Sequence, residues 1–117
     1  MALFDQLPVY KSCYDLLLQL YQVSKNMERD YKFTLGENIK NETIALIILI
    51  YKANTQLHKS EYLLIAKEKV EVIRLQLRIY NDLKQMSLQQ YVALSEQLES
   101  ISKQINAWYT SQQNKSK

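Results

Sequence analysis

Apolar residues recur along most of the chain at alternating steps of three and four, which is the spacing of one face of an α-helix. Four such stripes can be traced, and each predicts an amphipathic helix; short connections between them favour an up-down-up-down arrangement. In chain order, the stripes are Val9, Cys13, Leu16, Leu20 and Val23; Ile39, Thr43, Leu46, Ile50 and Ala53; Leu63, Ala66, Val70, Ile73, Leu77 and Tyr80; and Tyr91, Leu94, Leu98, Ile101, Ile105 and Trp108.

Local signals mark the start of two of these helices. Thr34 with Glu37, and Ser87 with Gln90, have the spacing of a capping box. In that motif the two side chains satisfy each other's free backbone N–H groups. Phe33, directly before the first box, is predicted to pack onto the first turn of the second helix.

The composition excludes most β architectures. The 117 residues include one Gly and one Pro, whereas hairpins and sandwiches draw heavily on both for their turns. A hydrophobic fraction of 47% is ample for a packed core. We therefore predict an all-α fold, an antiparallel up-down-up-down four-helix bundle formed by residues 1–110 and followed by a polar C-terminal tail at residues 111–117.

Two of the predicted helices carry more apolar surface than the core of one bundle needs. In the second helix, residues 44–50 are all apolar, so at about 100° per residue they cover the whole circumference. In the third helix, a second stripe lies about 100° to 180° from Leu63. Large apolar patches are typical of association sites, and cover by the chain's own side chains and loops is the alternative. We predict a homo-oligomer whose interface contains Ile44, Ile47, Ile48, Leu64, Val72, Leu75 and Ile79.

The formal net charge of +3 suits an anionic partner without requiring one. Lys67, Arg74 and Arg78 lie about 20° to 60° from Leu63 on the third helix and so form one line. Glu71 lies on this line and can pair with its cations, which would make an ordinary salt-bridged face. In an oligomer the line is repeated, and phosphate contacts add. The predicted RNA- or DNA-binding residues are Lys67, Arg74, Arg78, Lys52, Lys59 and Lys84.

Signals of catalysis are weak. His58 is the only histidine, Cys13 lies on a core stripe where a thiol is inert, and Gly36 stands alone without a phosphate-binding loop. One histidine cannot supply the two Glu-x-x-His motifs of a di-metal bundle. We therefore predict no enzymatic activity, no cofactor and no metal site. The N-terminus shows no leader pattern and no apolar run approaches the ~20 residues of a membrane span, so we expect a cytoplasmic protein without a membrane partner.

Four segments resemble a known bacterial family of small four-helix bundles. They are residues 7–18 (LPVYKSCYDLLL), 29–37 (RDYKFTLGE), 50–54 (IYKAN) and 74–78 (RLQLR), and the second is the most specific. The family is named for proteins encoded in intervening sequences of 23S ribosomal RNA genes. It includes the accessory variability determinant of diversity-generating retroelements, which is the branch that this chain resembles more closely.

The resemblance implies a homopentamer that binds nucleic acid through a basic surface and assists a reverse transcriptase in mutagenic copying of a template RNA. Arg74 and Arg78 match the family's arginines on the third helix, and Lys32 stands where many relatives have Arg. Many relatives have glycines just before the C-terminal tryptophan, whereas Trp108 directly follows Ala107 and has no glycine before it in that helix. The predicted function is a non-catalytic, oligomeric nucleic-acid-binding accessory protein. The alternative is a protein-interaction scaffold that does not bind nucleic acid.

Overall fold

The computed structural model describes residues 6–115, and within that range it contains helices and short connections but no strand. The helices are α1 (Pro8–Ser24), α2 (Arg29–Lys32), α3 (Leu35–Thr55), α4 (Lys59–Asp82) and α5 (Leu88–Lys115). The four long helices pack in the closed order α1–α3–α4–α5–α1, while the single turn of α2 lies against α3. The result is a four-helix bundle with dimensions of 49 × 20 × 19 Å, which confirms the predicted all-α class.

The predicted apolar stripes form the core of this bundle. Every stripe residue of α1, α3 and α4 is buried, and so are the four central ones of α5. Tyr91 and Trp108, at the two ends of the α5 stripe, are half-buried and pack against the core from its edge. Burial of each Leu or Ile contributes about 1.5–3 kcal/mol, so these stripes are the main source of stability.

The capping box predicted at the start of α3 is wrong. The Thr34 hydroxyl donates to the carbonyl of Asp30 at 2.7 Å and makes no cap bond to α3, while Glu37 pairs with Lys40 at 2.8 Å. The physical reason is α2, because a helical turn that ends just before Thr34 offers its hydroxyl a carbonyl four residues back. Phe33, predicted to pack onto the first turn of α3, keeps 63% of its surface exposed.

The second capping box is confirmed. The Gln90 N–H donates to the Ser87 hydroxyl at 3.0 Å, and the Ser87 N–H donates to the Gln90 side-chain oxygen at 2.9 Å. Nothing helical precedes Ser87 closely enough to compete for its side chain, because α4 already ends at Asp82. The start of α5 is therefore fixed by its own local sequence.

The end of α4 is a Schellman motif. Lys84 adopts a left-handed conformation with φ 59°, its N–H donates to the Asn81 carbonyl at 3.0 Å, and the Gln85 N–H donates to the Tyr80 carbonyl at 2.9 Å. Glycine usually occupies the left-handed position of this motif, because a Cβ is strained there. Lys84 therefore sits in a mildly strained backbone.

The last helix is longer than the sequence pattern suggests. It continues to Lys115, so residues 111–115 of the predicted polar tail are helical, and residues 116–117 lie outside the described range. Over the described residues, none of the helices has both the length and the apolarity needed to span a lipid bilayer.

Candidate nucleic-acid and self-association surfaces

Arg74 lies in the seam between α4 and α5, held by two carboxylates. Its guanidinium donates to Glu71 on the same helix at 3.2 and 3.3 Å and also pairs with Glu99 on α5. The pair with Glu71 is visible in the sequence, but Glu99 is 25 positions away and meets Arg74 only through the fold. One cation between two carboxylates is fully neutralised, so a phosphate would have to displace them.

Two of the predicted lysines also have partners within the chain. The Lys67 ammonium lies 4.6 Å from the centroid of the Tyr109 ring on α5, a cation–π distance. The Lys59 ammonium donates to the carbonyls of Ala53 and Asn54 at 2.8 and 3.0 Å, and so closes the C-terminus of α3. Both side chains therefore stabilise the bundle itself.

The other three predicted cations are free. Lys52, Arg78 and Lys84 are exposed, and none of their side chains forms a hydrogen bond or an ion pair within residues 6–115. Arg78 follows Arg74 by one helical turn and lies one turn before the end of α4. Of the predicted line along α4, Arg78 is thus the member that a phosphate can reach without breaking an existing contact.

A second group of cations gathers at the end of the bundle where α1 and α4 end and α3 and α5 begin, which we call the connection end. The buried side chain of Gln85 stabilises the connection end. Its oxygen accepts the Glu28 N–H at 2.8 Å, and its amide donates to the Leu83 carbonyl at 3.0 Å. This ties the loop after α1 to the loop after α4. The cations of the segments at this end are Lys25, Arg29, Lys32, Arg78 and Lys84.

The charge balance separates the connection end from the α4–α5 seam. At the connection end these five cations exceed the acids Glu28, Asp30 and Asp82 by two, and Glu37 in the first turn of α3 is paired with Lys40. In the seam, Lys67 and Arg74 are balanced by two glutamates. Sequence reasoning missed Lys25 and Arg29, because they lie in a polar segment that only interrupts the helical pattern. The Glu28–Gln85 hydrogen bond joins the segment that carries them to the loop of Lys84, and no local signal reveals this contact.

Apolar side chains cover the outer surface of α3 and α4. Of the predicted interface residues, Ile44, Ile48, Leu64, Val72 and Leu75 are 36–58% exposed, and we call this set together with Ile65 the α3–α4 apolar face. Ile79 and Ile47 are half-buried, and Ile47 packs against the core. Ile65, 45% exposed, was missed, although its position about 200° from Leu63 adjoins the second stripe.

Two polar side-chain contacts join α3 to α4. Lys69 pairs with Glu42 at 2.8 Å, and the Gln76 amide donates to the Asn38 side-chain oxygen at 2.6 Å. Both contacts join the neighbouring edges of α3 and α4, the two helices that carry the exposed apolar residues. Tyr14, Leu18 and Tyr21 extend exposed apolar surface to α1, each with 44–47% exposed.

The groups with potential for chemistry are separated. Cys13 is fully buried, and burial raises the pKa of its thiol to about 12, so the thiolate does not form at neutral pH. His58 is exposed at the start of α4. Within residues 6–115, three or more His, Cys, Asp or Glu side chains nowhere cluster in a way that would hold a metal ion.

Comparison with known proteins identifies the family of this chain. No curated protein matches the chain. The model of the bAvd-like family matches residues 7–112, a span that includes all five helices except the last three residues of α5. With this match over nearly its full length, the chain belongs to the bAvd-like family, the bacterial accessory variability determinant-like proteins.

Proposed function

We propose that this protein is a non-catalytic accessory protein that self-associates through the α3–α4 apolar face and binds RNA or DNA through its free cations. Membership of the bAvd-like family suggests an accessory variability determinant role, and a reverse transcriptase is the partner that such a role calls for. A homopentamer, and a kinship with the wider family of 23S ribosomal RNA intervening-sequence proteins, belong to the same proposal.

The observation that carries the proposal is the α3–α4 apolar face. Leu75 exposes 58% of its surface, and Ile48 and Leu64 expose 48% and 47%, although the core beneath them is complete. Folding of one chain leaves these side chains in water, and covering them with a second copy removes that cost. Closed rings and dimers are the usual outcome of such contacts.

Self-association strengthens weak phosphate binding. Each chain has a formal charge of +3, so a ring of about five copies would present a formal charge of roughly +15. The free cations Arg78 and Lys84 are repeated in every copy, and each phosphate that they neutralise releases counterions. We therefore assign the main phosphate contacts to Arg78, Lys84 and Lys52. Arg74, Lys67 and Lys59, whose side chains already have partners within the chain, contribute less to phosphate binding.

A specific observation also favours the alternative, a protein-interaction scaffold. Exposed apolar side chains continue from α3 onto α1, where Tyr14, Leu18 and Tyr21 lie. A surface that spans three helices has room for a partner protein beside a second copy. In that case the oligomer forms but ignores nucleic acid.

The test is the binding of a labelled mixed-sequence RNA at about 50 and 200 mM salt. We expect the wild type to bind with an affinity that falls steeply with salt, and the Arg78→Gln/Lys84→Gly variant to bind more weakly with a shallower salt dependence. Lys84→Gly relaxes a left-handed backbone, and the exposed Arg78 side chain has no partner within residues 6–115, so we expect this variant to stay folded.

A matched control removes charges without changing the net charge. In the Arg74→Gln/Glu99→Gln variant one cation and one anion of an existing pair are lost, and RNA affinity should fall less than in the Arg78→Gln/Lys84→Gly variant. Wild-type protein that binds no RNA at either salt concentration would favour the scaffold. Equal losses in the two variants would show that contacts are not concentrated on the free cations.

A further inference from the structure

Phe33 is an apolar side chain that the fold does not use. With 63% of its surface exposed, it is the most exposed aromatic residue within residues 6–115. It ends the single turn of α2 at the connection end, away from the α3–α4 apolar face on the side of the bundle. Its ring therefore faces solvent among the loops of the connection end, where Leu83 and Leu88 are also exposed.

Cationic residues lie next to Phe33 in the sequence and at the same end of the bundle. Arg29 precedes Phe33 by four residues across the turn of α2, so the two side chains lie on the same face. The Lys32 ammonium is 5.8 Å from the ring centroid, near the outer limit of a cation–π contact, which leaves the ring open to another partner. The Glu28–Gln85 hydrogen bond at 2.8 Å brings the loop of Lys84 to the same end.

The arginines of the chain differ in whether their guanidinium groups are available to a phosphate. The chain contains three arginines, and the guanidinium of Arg74 is already paired with Glu71 and Glu99. Arg29 and Arg78 are exposed and unpaired within residues 6–115, and both belong to the connection end. Arginine is the side chain best suited to phosphate, because its planar fork donates two parallel hydrogen bonds.

We propose that Phe33, with Arg29, Lys32 and Lys84, forms a binding site for single-stranded nucleic acid. One unpaired base stacks on the Phe33 ring, and the cations contact the phosphates on either side of it. A duplex does not fit this site, since its bases are already stacked inside the helix and cannot offer a face to the ring. The proposal rests on the nucleic-acid binding of the proposed function and adds which form of nucleic acid is bound, and where.

The experiment compares a labelled single strand of uridines, about 20 nucleotides long, with a mixed-sequence RNA duplex of the same length. Phe33→Leu keeps an apolar side chain but removes the ring, and Leu57→Ala is the control, because Leu57 is 93% exposed at the opposite end of the bundle. We expect Phe33→Leu to weaken single-strand binding at least about fivefold while duplex binding changes less than about twofold. Phe33→Trp should bind the single strand at least as tightly as the wild type, and Leu57→Ala should match it.

Native mass is measured for every variant, so that the possible outcomes are distinct. If Phe33→Leu binds the single strand as the wild type does, or loses single-strand and duplex binding equally, the stacking site is wrong while the proposed function stands. If Phe33→Leu changes the native mass, Phe33 is a contact between copies and the proposal fails. If the wild type binds neither RNA, the proposed function itself fails.

Discussion

The outer surfaces of α3–α4 and of α5 lie on the same four-helix framework but expose different chemistry. Outside the core stripe, α5 presents Glu96, Ser100 and Lys103 to solvent, and its exposed Leu88 and Val92 lie near its start. The α3–α4 apolar face instead presents isoleucine, leucine and valine side chains that are 36–58% exposed. Both flanks bury an equivalent stripe, so folding alone does not require the difference.

The contacts between α5 and its two neighbouring helices are also polar. Gln97 and Gln104 of α5 donate to the backbone and the hydroxyl of Ser12 on α1 at 2.9 and 3.2 Å, and Glu99 pairs with Arg74 on α4. Polar groups thus line both edges of α5, as expected of a helix that faces water. Because stability of the single chain does not require the surplus apolar residues of α3 and α4, we propose that they serve association.

The largest effects should be the same on both flanks, because both contribute equally to the core. Leu46→Ala on α3 and Leu98→Ala on α5 each remove a fully buried side chain. We expect each to lower the free energy of unfolding by about 2–5 kcal/mol, measured by urea denaturation. A loss at one site that is several times larger than at the other would mean that the two halves of the core are not equivalent, and would undermine the comparison.

A smaller effect should separate the starts of the two helices. Ser87→Ala removes the hydroxyl that accepts the Gln90 N–H, one of the two hydrogen bonds of the α5 capping box, and should cost about 1 kcal/mol. Thr34→Ala removes an exposed bond to Asp30 that does not cap α3, and should cost less. Thermal melts of the two variants measure this; the reverse order would show that Thr34 caps α3 in solution.

The smallest effects concern the ion pairs on the two flanks. Lys69–Glu42 under the apolar face is 31% and 24% exposed, whereas Arg74 and Glu99 beside α5 are 39% and 49% exposed. Screening by water is weaker at the first pair, so Glu42→Gln should cost up to about 1 kcal/mol and Glu99→Gln less than about 0.5 kcal/mol. Unfolding at low and high salt measures both losses, and equal losses would contradict the argument from exposure.

Much of the fold follows from local spacing. The stripe residues of α1, α3 and α4 are buried as predicted, because a 3/4 repeat identifies one face of a helix whatever its neighbours are. The capping box at Ser87 forms for the same reason, since all its atoms lie within four residues. The box at Thr34 fails because α2, a turn too short for any periodic signal, takes its hydroxyl.

The candidate site is less accessible to sequence reasoning. The spacing predicts that Lys67, Arg74 and Arg78 lie on one line. Only the fold shows that Lys67 contacts Tyr109, that Arg74 pairs with Glu99, and that the Arg78 side chain is free. These partners are distant in the sequence. The connection end depends equally on a long-range contact, from Glu28 to Gln85.

The most direct test of the account is native mass by light scattering, with one charge introduced on each flank in turn. The wild type should have a mass several times 13.9 kDa, about 70 kDa for a pentamer. Leu75→Asp on the apolar face should reduce it to that of a monomer, whereas Ser100→Asp on α5 should leave it unchanged. A wild-type mass of 13.9 kDa, or a Leu75→Asp variant that keeps the wild-type mass, would contradict the claim that the α3–α4 apolar face joins copies of this chain.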